Sequence, residues 1–101
     1  MEKEFIRAIV KEPHKDPEWR EIKNDLETLQ QLVGGCFETL GFTVTSALIC
    51  NEEGNLLDLE PNIRLWNDMI CGTIVIVGVQ EDYFTDAPNA AWLCLKTLPT
   101  A

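Results

Sequence analysis

Glu38, Glu52 and Glu53 are the side chains whose type and spacing could do chemistry. Two adjacent carboxylates with a third close in space could hold a divalent cation, as in a metal-dependent enzyme, or could receive a basic group. Side chains adjacent in a tight turn usually diverge into water, however, so a solvated turn is the simpler reading. The other reactive types fall outside any catalytic pattern. His14, the single histidine, lies in the turn-forming run Pro13-His14-Lys15-Asp16-Pro17, Ser46 lies mid-strand, and no nucleophile elbow surrounds either. Cys36, Cys50, Cys71 and Cys94 stand 14, 21 and 23 residues apart with no Cys-x-x-Cys pair, unlike a zinc site. Their apolar surroundings suit small buried hydrophobes in a reducing compartment. Gly34-Gly35 and Gly72-Thr73 have no neighbouring lysine, so neither is a phosphate loop. The expectation is a non-enzymatic chain with no catalytic residue, no metal ligand and no cofactor.

A second set of polar positions, Gly35, Asn51, Asn62, Gly72 and Thr73, sits at turns where backbone N–H groups can face a ligand. With Glu38, Glu52 and Glu53 they form the candidate partner- or ligand-binding set. If they converge, they make a pocket around the Asn51-Glu52-Glu53-Gly54 turn for a small molecule such as a nucleotide signal. If they do not, turn geometry alone explains them.

Charge separates the functional classes. The net charge is −9, but residues 1–23 balance six basic against six acidic side chains, whereas residues 24–86 carry eleven acidic residues and only Arg64. Direct nucleic-acid binding is disfavoured, because phosphate neutralisation needs clustered Lys and Arg. An acidic face could meet a basic surface on a host protein, or imitate a phosphate backbone; it could also serve solubility alone. No run of 18 or more apolar residues is present, so no membrane span is expected, and the Met1-Glu2-Lys3-Glu4 start reads as no signal peptide. A cytoplasmic location follows as an expectation.

The elements that must position these residues can be read from periodicity. The expected fold is α+β: residues 1–101 as a single domain, a mostly antiparallel sheet of about five strands, one main helix over about 25–34 on one face, and room for a short second helix. Phe5–Lys11 and Glu18–Ile22 read as a hairpin. Asn24 is the expected N-cap, with Glu27 reaching back, and Leu26, Leu29, Leu32 and Val33 form the helix stripe that Gly34-Gly35 ends. Gly41 is expected to break a short strand over Cys36–Leu40, and Thr43–Cys50 to form a long one. The polar turn after Cys50 is read as a surface turn beyond which a strand resumes through Leu56, Leu57 and Leu59. Residues 63–66 could be one helical turn. The β-branched end of Met69–Val79 reads as a central strand buried on both sides. Ala90–Lys96 is a short helix or an edge strand, and Pro99 to Ala101 should fray. A long exposed strand, or Trp92–Leu95, could pair between copies into a homo-oligomer.

Several motifs in order, Leu26-Glu27-x-Leu29-Gln30-x-Leu32-Val33-Gly34-Gly35, Ile49-Cys50-Asn51-Glu52-Glu53-Gly54, Leu59-x-Pro61-Asn62, Ile70-x-Gly72-Thr73 and Ile76-Val77-Gly78, carry a resemblance. The chain resembles a family of small domains of unknown function found in bacteriophages and in mobile elements of Firmicutes. The resemblance spans a core of about residues 5–86, leaving 87–101 as a C-terminal extension. It implies an accessory protein in the cytoplasm of a host cell, in a setting where proteins often counter host defences by binding, and it supplies no catalytic residues.

Overall fold

An apolar, β-branched run and a second run that alternates polar and apolar fold the start of the chain, in a computed structural model that describes residues 2–100, into an antiparallel hairpin of β1 (Phe5–Lys11) and β2 (Glu18–Lys23). Helix α1 (Leu26–Val33) follows, then a second hairpin, β3 (Phe37–Thr43) and β4 (Ser46–Asn51). A small separate hairpin, β5 (Pro61–Leu65) and β6 (Asp68–Cys71), precedes β7 (Ile74–Gln80) and β8 (Tyr83–Thr85), and α2 (Asn89–Lys96) closes the chain. The strand order of the main sheet is β2-β1-β7-β4-β3, with β8 also pairing β7, and every ladder is antiparallel. The late strand β7 therefore slots between two earlier hairpins, and it is the central buried strand its composition predicts.

Alternation along each strand splits the core into two faces. Ile6, Ala8, Val10, Ala47, Ile49, Val75 and Val77 pack under Leu29 and Val33 of α1. Ile9, Leu48, Cys50, Ile74 and Ile76 pack on the opposite face against Ala91 and Leu95 of α2 and against Ile63, Leu65 and Ile70 of the small hairpin. Each Val, Leu or Ile among them contributes roughly 1.5–3 kcal/mol by leaving water. Trp19 of β2 and Trp92 of α2 stack with centroids 5.4 Å apart, and the Arg7 guanidinium lies 3.9 Å over Trp19, which seats α2 on this second face.

The α+β class, the main helix on one face and the short second helix agree with the sequence reading; the sheet material is richer, eight strands rather than about five. Residues 61–71 hide two of them, because Glu60-Pro61-Asn62 interrupts the pattern and 63–66 is too short to show a period; it is strand, not a helical turn. Helix α1 is capped by Asp25, whose carboxylate accepts the Thr28 N–H at 2.8 Å and is held below its ordinary range by hydrogen bonding from Thr28. Asn24 instead donates to the carbonyls of Lys3 and Phe84. Gly34 ends the helix in the left-handed region, φ 82°.

Three further expectations are corrected. Gly41 does not break β3, which runs through it with a register shift before Thr43. No strand resumes after Gly54: Leu57 N donates to Glu53 O and Leu59 N to Gly54 O, winding the loop on itself and leaving Leu56 81% exposed. The tail does not fray at Pro99, since Arg64 N donates to Pro99 O and Thr100 bridges Ile63, while Ala101 lies outside the described residues. Among the described residues no helix is long and apolar enough to cross a membrane.

Candidate functional site

The buried amide of Asn51 shapes a concavity beside the loop that follows β4. Its Nδ2 donates to Val33 O at the end of α1, its Oδ1 accepts the Glu53 N–H at 2.8 Å, and Glu52 N donates to Cys36 O. Gly35 leaves room for this amide, because a Cβ there would stand 3.2 Å from Asn51 Nδ2. The loop is thus fastened where it leaves β4, to the end of α1 and to the residue ahead of β3. It projects Glu52 and Glu53 beside β3 and β6, over a cleft of about 540 Å³.

Four carboxylates line that cleft, those of Glu38, Glu52, Glu53 and Asp68, and no Lys, Arg or His is among its lining residues. All four residues are exposed, and none takes part in the ion pairs found among the described residues. Those pairs instead engage Lys3, His14, Lys15, Arg20 and Lys23. The floor is apolar, with Leu40, Cys50, Met69 and Ile70. An acidic rim over an apolar floor suits the alkyl stem and cationic head of Lys or Arg. The same charge repels phosphate, so a nucleotide is a poor occupant.

The candidate set therefore divides. Glu38, Asn51, Glu52 and Glu53 meet at the cleft, with Gly35 behind Asn51. Asn62 and Gly72 belong to a different place: Asn62 is buried, accepts from Lys11 Nζ at 2.5 Å, and donates to Lys11 O and Gly72 O at 2.8 and 2.9 Å. Burial holds the Lys11 amine below its ordinary range, against the raising effect of Asp16. Thr73 is half-buried ahead of β7 and does not line the cleft. The single polar pocket that would gather all of these positions is not formed. Asp68 was missed by the sequence reading, since only the β5–β6 pairing brings it to the cleft; its adjacency to a short apolar run was the available signal. Lys11 was missed too, because a charged residue ending a strand reads as exposed.

No group of three His, Cys, Asp or Glu side chains is placed to hold a metal ion among the described residues, so the metal-dependent reading of Glu38, Glu52 and Glu53 lacks its donor set. Only Cys50 is buried; Cys36 is exposed, and Cys71 and Cys94 are partly so, which corrects the expectation of four buried thiols. Burial, then the nearby Glu38 charge, pushes the Cys50 thiol up to about 12, leaving it protonated and unreactive at neutral pH. Its stability contribution is fully present below the unfolded value of 9.0 and is lost as pH rises through about 12. Wild type should accordingly lose about 1.4 kcal/mol of unfolding free energy per pH unit in that window relative to Cys50→Ala. Denaturant titrations of both proteins at pH 8 to 11 check this; parallel pH profiles would contradict it.

Fold and cleft together define a single α+β domain built on an antiparallel sheet, with a recessed acidic surface. The chain belongs to the DUF3846 family, a domain of unknown function, which matches residues 6–96 and so takes in α2. No curated protein and no solved structure matches the chain.

Proposed function

We propose that this domain is a non-enzymatic binding protein that takes Lys or Arg side chains of a protein partner into the acidic cleft. The observation that carries the reading is that Glu38, Glu52, Glu53 and Asp68 share one concavity and, among the described residues, have no ion-pair partner. Supporting it, the β5–β6 hairpin that supplies Asp68 carries at its tip Trp66, 70% exposed, an aromatic of the kind that anchors protein interfaces. The motifs that resemble phage and mobile-element proteins support a host-cytoplasm setting for this reading, in which the partner is a basic surface on a nuclease or another nucleic-acid-binding protein and the effect is anti-defence inhibition.

Isothermal titration with an oligolysine peptide tests it. Binding should weaken steeply between low and moderate salt. The combined variant Glu38→Gln, Glu52→Gln, Glu53→Gln, Asp68→Asn should bind about tenfold or more weakly, with its denaturation midpoint little changed. Affinity indifferent to salt, or unchanged in the variant, would overturn the reading.

A further inference from the structure

We infer that the partner segment binds in extended form as an added strand on β3, presenting a basic–x–basic pattern to the cleft. This inference rests on the cleft reading and names the geometry by which the cleft is filled. β3 is the terminal strand of the main sheet, paired with β4 alone. Its phase is fixed by the Glu52 N–H to Cys36 O bond, because these residues lie in the same register as Glu38 opposite Cys50 and Leu40 opposite Leu48. Bonded and non-bonded pairs alternate in an antiparallel ladder, so Glu38 and Leu40 spend their backbone groups on β4. The N–H and C=O groups of Phe37, Thr39 and Gly41 point to the open edge. The far side of β4 agrees: Val79 N donates to Thr45 O, placing the bonded pairs of β4 with β7 at the intervening odd positions, Ala47 and Ile49.

The two edges of the sheet are protected differently. β2 carries Glu18, Arg20, Glu21 and Lys23 in six residues, the charged guard that blocks strand addition, whereas β3 carries Glu38 alone. Glu38, Thr39 and Gly41 are exposed, and a Cβ on Gly41 would meet nothing within 4 Å. The register shift after Gly41 limits an added strand to about five residues.

Side chains alternate faces, which fixes the pattern of the guest. Glu38 and Leu40 both line the cleft, so the two guest residues beside them project into it, among Glu52, Glu53 and Asp68. Cations suit those two positions, and the residue between them faces the α1 side. A second copy of this chain is a poor guest, since it would set its own Glu38 against the same carboxylates.

The probe is the capped peptide Lys-Thr-Lys-Thr-Lys, compared with two N-methylated versions, one methylated on the lysines and one on the threonines. N-methylation keeps the charge and removes the N–H, and alternate N–H groups of an added strand face opposite ways. The expected result is that one methylated version binds about tenfold or more weakly while the other binds like the parent, the loss expected from two or three backbone hydrogen bonds. Amide exchange should slow at Phe37, Thr39 and Gly41 on binding. If both versions bind like the parent and those amides are unaffected, the cleft takes charge without strand addition and this inference falls alone. If no peptide binds at low salt, the cleft reading falls and this inference with it.

Discussion

Gly78→Ala is expected to cost about 3 kcal/mol of unfolding free energy, the upper end of overpacking penalties. A Cβ at this position would stand 2.0 Å from Asp86 O and 2.9 Å from Asp86 C, both backbone atoms. The backbone there cannot move aside cheaply. Asp86 accepts from Lys3 Nζ at 2.7 Å and from Arg7 N at 2.8 Å, and Ala87 N donates to Arg7 O at 2.8 Å, which clamps the chain after β8 onto β1. Gly41→Ala is the control, having open space at its Cβ, and should change stability by less than about 0.5 kcal/mol. Urea midpoints of the two variants make the comparison. Equal midpoints would mean that Asp86 does not sit where the packing at Gly78 requires.

Asn62→Ala should be comparably damaging, at about 3–4 kcal/mol, for an electrostatic reason. Asn62 is 1% exposed, and its amide is the acceptor for the buried Lys11 amine and the donor to two carbonyls. Truncation leaves a buried amine and two buried carbonyls without these partners. Adding Lys11→Met should restore part of the loss, because the amine is then gone while the Lys11 and Gly72 carbonyls still lack their donor. A double variant no more stable than Asn62→Ala would show that the amine is not the costly group. The pH dependence has a definite sign: with its amine below the ordinary 10.5, Lys11 contributes stability that is present above 10.5 and lost as pH falls through its lowered value. This is opposite to the Cys50 trend, so Lys11→Met should steepen the alkaline loss of stability.

What the sequence made legible was what local rules determine. The β-branched run of β7 and the α1 stripe ending at Gly34 are set by residue type and period, and both stand where their patterns put them. Long-range pairing was not legible. Nothing local to Asp68 says that β6 will turn it toward Glu38, and nothing in the Asn51-Glu52-Glu53-Gly54 run says that Asn51 will tie the turn to α1 instead of letting a hairpin form. Asn62 and Asn51 look alike in sequence, each beside a turn. One closes a buried bond network around Lys11 and the other aims a loop at a cleft, a difference made entirely by what tertiary packing brings opposite them.

Amide chemical-shift mapping shows directly whether the acidic cleft is the binding surface. Isotope-labelled protein titrated with oligolysine at low salt should shift Glu38, the loop from Glu52 to Leu56, and Asp68 to Ile70, with the shifts fading as salt is raised. Shifts spread evenly over the other acidic positions, Asp58, Glu81 and Asp82 among them, would contradict it, showing that the peptide responds to net charge and not to a site.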